Sequence, residues 1–75
     1  MTSTYYIFKI NFDTDYNVFD FVKDNAIYSD CFENCVDTAS LLSNTDTENI
    51  YMIMRECSDG TLEYSCEFQN NVMSY

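Results

Sequence analysis

The sequence predicts an α+β fold, in which a three-stranded antiparallel sheet packs against two helices in the order β-α-α-β-β. The observations behind this prediction are an alternating stretch near the start, two stretches with apolar residues at helical spacing, and two alternating stretches around a short turn. With 75 residues, no repeat and no Pro, the chain is expected to form one domain over 1–75. Seven Tyr and six Phe supply the apolar surface for a small core.

The first strand is predicted over residues 4–12. Tyr6, Phe8 and Ile10 fall on one side of the alternation, and Ile7 and Lys9 fall on the other. A period of two residues is typical of a β-strand with one buried face.

The first helix is predicted over residues 15–27. Asp13, Thr14 and Asp15 offer side chains that can cap its start. Apolar residues then recur at helical spacing: Val18, Phe19, Val22 and Ala26. Asp20 and Asp24 fall on the opposite side of such a helix.

The second helix is predicted within residues 29–43, where the apolar stripe has a period of 3.6. Its members are Cys31, Phe32, Cys35, Val36, Ala39 and Leu42. Asp30 and Glu33 have the spacing of a variant capping box. The alternative, a strand over 36–43, collects a poorer apolar face.

A β-hairpin is predicted from residues 50–57 and 61–69 around Gly60. A three-residue loop, with Gly60 in the left-handed conformation, places Arg55 opposite Glu63, whereas a two-residue turn would oppose two glutamates. This register predicts one buried face, made by Ile50, Met52, Met54, Leu62, Tyr64, Cys66 and Phe68. Tyr51 and Ile53 would lie partly exposed on the other face, as a possible apolar interface for a partner or a homodimer.

Composition argues against an enzyme. The chain has no His and one Gly, so Cys-His and Ser-His dyads and Gly-rich phosphate loops are excluded, and no cofactor is expected. The cysteines at 31, 35, 57 and 66 lack the short spacing of a zinc knuckle. Cys31, Cys35 and Cys66 are predicted to pack in the core as reduced thiols.

A calcium-binding domain is a third functional hypothesis. Asp13, Asp15 and Asn17, with Asp24 at the twelfth position, resemble the ligand spacing of an EF-hand loop. Val18 stands where that loop requires Gly, so helix capping explains the same acids better.

The strongest signal is charge. Thirteen acidic residues against Lys9, Lys23 and Arg55 give a net charge of −10, which disfavours nucleic acids and anionic membranes and favours a basic partner. The two predicted helices concentrate this charge, and the predicted partner-binding residues are Asp13, Asp15, Asp20, Asp24, Asp30, Glu33 and Asp37. A row of carboxylates approximates the phosphates that a nucleic-acid-binding groove accepts.

In size, charge and composition the whole chain is similar to the very small acidic proteins with which phages and other mobile elements block host nucleases, including anti-CRISPR and anti-restriction proteins. That resemblance implies an inhibitor that mimics nucleic acid and binds a basic nucleic-acid-binding protein. The alternative is a non-catalytic interaction or regulatory module. A cytoplasmic location is expected, because residues 1–4 carry no basic region and no apolar run nears the roughly 20 residues of a membrane span.

Overall fold

The computed structural model describes residues 3–15 and 19–75, which form a five-stranded antiparallel sheet and one α-helix. The strands are β1 (Tyr5–Asn11), β2 (Tyr28–Asp30), β3 (Asn49–Glu56), β4 (Leu62–Gln69) and β5 (Val72–Ser74), and the helix is α1 (Phe32–Thr45). Across the sheet the order is β2-β1-β3-β4-β5. The predicted three-stranded sheet with two helices is therefore wrong, although β1, α1 and the β3–β4 hairpin lie where the sequence placed them.

The short edge strands were not predicted. β2 and β5 contain three residues each, so neither offers enough alternation to be read from the sequence. β2 pairs with the start of β1, with Tyr5 opposite Asp30, and β5 pairs with the end of β4. These two strands extend the sheet on both sides of the β1–β3–β4 centre.

The predicted first helix is wrong over residues 19–27, where the only helical element is a 3₁₀ turn, Lys23–Asn25. Phe19 and Phe21 instead both contact the Phe8 ring, with centroids 6.1 and 5.3 Å away. The segment is also rich in Asp, Asn, Phe and Val, which are weak helix formers. Val18, the first apolar residue of the predicted helix, lies outside the described residues.

Helix α1 confirms the second helical prediction and excludes the strand over 36–43. Cys35, Ala39 and Ser43 recur at four-residue spacing and are fully buried against the sheet. The helix begins at Phe32, and Asp30 accepts a hydrogen bond from the Cys31 backbone N–H at 2.7 Å.

The hairpin has the predicted register at its turn, with Arg55 opposite Glu63 and Gly60 at φ +88°. Further along, β4 contains an irregularity: Met54 pairs with Tyr64 but Ile53 pairs with Cys66, so Ser65 is an extra residue. This β-bulge places Cys66 on the face that Ile53 occupies, and Tyr64 on the face of Met54.

Both faces of the sheet are consequently buried. One core lies under α1 and joins Ile7, Tyr51 and Ile53 to the buried helix residues and to Cys66 and Phe68. The other lies beneath the 19–27 segment, and its buried members are Phe8, Ile10, Met52 and Met54.

The single buried face predicted for the hairpin is therefore wrong. Tyr51 and Ile53, expected to be partly exposed, are 3% and 0% exposed, whereas Tyr64, expected in the core, is 43% exposed. The cover supplied by α1, and the shift of Cys66 and Phe68 to the face that α1 covers, account for the burial of Tyr51 and Ile53.

Candidate acidic binding surface

Every cationic side chain of the protein is engaged in an ion pair. The pairs are Lys9 with Asp46, Lys23 with Glu56, and Arg55 with Glu63. Each pair joins different parts of the fold, so each cation lies beside a carboxylate of the same chain. The net charge of −10 is carried by the other acidic residues.

The Glu56 pair fastens the 19–27 segment to β3. Lys23 Nζ donates to one carboxylate oxygen of Glu56, and the Tyr6 hydroxyl donates to the other at 3.0 Å. These hydrogen bonds, that of Lys23 first, lower the pKa of Glu56. Glu56 therefore links the 19–27 segment and β1 to β3.

Asp46, at the end of α1, likewise links two elements, because its carboxylate binds side chains of β3. Its carboxylate accepts hydrogen bonds from the Tyr51 hydroxyl and the Asn49 amide, both at 2.8 Å. The Tyr51 bond is the main cause of a lowered pKa for Asp46. Burial, followed by this hydrogen bond, raises the pKa of Tyr51 to about 12.

Three of the predicted binding residues lie together along the start of α1. Glu33 and Asp37 are exposed and stand one turn apart on the helix. Asp30 is half-buried at the end of β2, where hydrogen bonds from the Cys31 N–H first, and from the Asn34 and Tyr28 side chains, lower its pKa. We call Asp30, Glu33 and Asp37 the helix acidic surface.

The other predicted residues lie elsewhere. Asp20 and Asp24 are exposed on the 19–27 segment, which covers the sheet face opposite α1. Asp13 and Asp15 are exposed beyond the end of β1, whereas Asp30 pairs with the start of that strand. The fold therefore divides the predicted binding residues into separate groups, because the first of the two predicted helices does not form over 19–27.

A groove borders the helix acidic surface and was not found from the sequence. It has a volume of about 500 Å³ and is lined by Ser3, Tyr5, Cys31, Phe32 and Glu33. The Tyr5 and Phe32 rings are 5.0 Å apart at an angle of 56°, and Phe32 is 37% exposed. Because Tyr5 begins β1 and Phe32 begins α1, no local periodicity links them.

All four cysteines are free thiols. Cys35 and Cys66 are buried, and burial raises the pKa of each. The prediction that Cys31 packs in the core is wrong, because its side chain lies exposed at the start of α1.

No metal centre is formed by the part of the chain that the structure describes: nowhere in 3–15 and 19–75 do three Cys, Asp or Glu side chains converge on one point. Of the EF-hand-like pattern, Asn17 and Val18 lie outside those ranges. Within the same ranges, α1 lacks the length and apolarity needed to cross a bilayer.

Comparison with protein families, with curated proteins and with solved structures found no match. A functional hypothesis must therefore come from the surface chemistry of this chain.

Proposed function

We propose that this protein is a small acidic inhibitor that binds the basic nucleic-acid-binding site of another protein, as anti-CRISPR and anti-restriction mimics do. The observation that carries the proposal is the ion pairing of all three cationic side chains, in a chain of net charge −10. A basic partner would meet carboxylates without having to displace or repel a free cation.

The helix acidic surface is the proposed contact. Four residues of α-helix rise about 6 Å, so Glu33 and Asp37 are spaced along the helix axis at the same order as the phosphates of one DNA strand, which recur about every 3.4 Å of the DNA axis. Asp30 is held in place by its hydrogen bonds, so part of this charge is positioned before binding.

Neutral substitutions test this contact. The triple variant Asp30→Asn, Glu33→Gln and Asp37→Asn removes three charges with little change of shape. The matched control, Asp13→Asn with Asp20→Asn and Asp24→Asn, removes three charges from exposed positions outside the helix acidic surface. Loss of partner binding by the triple variant alone supports the helix acidic surface, and equal effects of the two variants would contradict it.

We place the protein in the cytoplasm, or in the interior of the host cell if it is of phage origin. Its four free thiols support a reducing compartment. Such a location also brings the protein to nucleic-acid-handling enzymes.

A second candidate is a non-catalytic interaction module that binds through apolar contacts. Val72 and Tyr75 are 63% and 82% exposed at the β5 edge, and an edge strand can pair with another chain. Salt separates the candidates, because charge-dominated binding weakens steeply as salt is added and apolar binding does not. Tyr51 and Ile53, predicted as a possible apolar interface, cannot contact a partner in either case, since both are buried.

A further inference from the structure

We infer that the groove between β1 and α1 binds an arginine side chain of the partner. This inference rests on the proposed function and specifies which group of the partner's basic site is recognised. The groove combines two aromatic residues whose rings are in contact, Tyr5 and Phe32, with the acidic residue Glu33.

Guanidinium chemistry fits this combination better than ammonium chemistry. A guanidinium is planar, stacks on aromatic rings and donates two parallel hydrogen bonds to one carboxylate. Phe32 offers an accessible ring face or edge, since 37% of the residue is exposed. Glu33 is exposed and one residue away in the first turn of α1.

The charges around the groove also select a cation. None of its lining residues is basic. Arg55, which lies opposite Tyr5 in the sheet, donates to Glu63 at 2.7 Å, so its charge is compensated. Asp30, opposite Tyr5 on the other side of β1, adds a second carboxylate near the groove.

A second apolar groove of comparable size is a poorer candidate. It has a volume of about 470 Å³ and is lined in part by Phe21, Val22 and Leu62. It offers a single aromatic ring, that of Phe21, where the groove at Phe32 offers two. Of these two grooves, the one at Phe32 has the charge and aromatic content that suit a cation.

Two peptides of equal charge, hexa-arginine and hexa-lysine, test the inference on the full chain at low salt. Binding is followed by NMR amide shifts. Hexa-arginine is expected to bind about two- to fivefold more tightly, with the largest shifts at Tyr5 and over 31–33. It should also slow alkylation of Cys31, which lines the groove, more than hexa-lysine does. Equal affinity and equal protection for the two peptides would overturn the inference.

Matched substitutions assign the selectivity to the groove. Phe32→Leu keeps an apolar wall but removes the ring, so the preference for arginine should disappear. Phe12→Leu changes another exposed phenylalanine, beyond the far end of β1, and should leave the preference intact. Glu33→Gln should weaken hexa-arginine binding more than Glu48→Gln does. Selectivity that survives Phe32→Leu would refute the role of the groove.

The result separates this inference from the proposed function. If the peptides bind alike while the triple variant of the helix acidic surface still loses its natural partner, only the groove assignment fails. If the triple variant binds that partner as the parent does, the proposed function fails whatever the peptides show.

Discussion

Ile53→Ala tests the two-sided burial of the sheet. Ile53 lies in β3, the middle strand, and is 0% exposed. It pairs with Ile7 on one side and Cys66 on the other, and it belongs to the core under α1. The substitution therefore opens a cavity in the core under α1.

The expected cost is about 3 kcal/mol. Removing three buried carbons loses about 0.8 kcal/mol each in transfer free energy, and the cavity adds to this, within the range of about 2 to 5 kcal/mol typical of Ile→Ala. The free energy of unfolding of a 75-residue domain is roughly 4 to 11 kcal/mol, so the variant should be only marginally stable. The melting temperature should fall by about 12 to 24 °C.

Thermal and urea unfolding, followed by circular dichroism, measure this loss. Val72→Ala is the control, because Val72 is 63% exposed and its truncation should cost less than about 0.5 kcal/mol. Met52→Ala should also destabilise strongly, because Met52 is buried on the opposite face of the sheet. An Ile53→Ala protein that melts within a few degrees of Val72→Ala would refute the placement of Ile53 under α1.

Three further predictions follow from individual side chains. The pKa of Tyr51 rises from 10.0 in the unfolded chain to about 12 in the folded protein. Its contribution of about 2 to 3 kcal/mol to the free energy of unfolding is therefore complete below pH 10 and is lost as the pH rises to 12. Urea titrations should show a smaller alkaline loss in Tyr51→Phe. Ser43→Ala should cost about 1 to 3 kcal/mol in the same assay, because the buried hydroxyl accepts from the Asn71 N–H at 3.0 Å; an unchanged midpoint would show that this bond is dispensable. Mass spectrometry should find four alkylated cysteines after denaturation, and Cys31 alkylated before Cys35 in the folded protein; two missing labels would reveal a disulfide.

The strand and hairpin predictions succeeded where the pattern was local. Alternation over Tyr5–Asn11 and the Gly60 turn determine β1 and the start of the hairpin, and the Arg55–Glu63 pair was chosen correctly by charge. The bulge at Ser65 leaves no signature in the sequence, yet it moves Cys66 and Phe68 to the other face of the sheet, that of Ile53 and Tyr51.

The candidate site was only partly predictable for a related reason. Helical spacing placed Glu33 and Asp37 together on the exposed side of α1 correctly. Asp20 and Asp24 were grouped with them because the apolar residues around them have helical spacing. The contacts of Phe19 and Phe21 with Phe8 override that local pattern.

Competition for the partner tests the proposed mimicry most directly. The partner is first captured from host lysate at low salt and identified, and labelled nucleic acid is then bound to it. The parent protein should displace this nucleic acid as it is titrated in, whereas the variant neutral at Asp30, Glu33 and Asp37 should not. A partner that holds the nucleic acid and the parent protein at the same time would contradict the proposal.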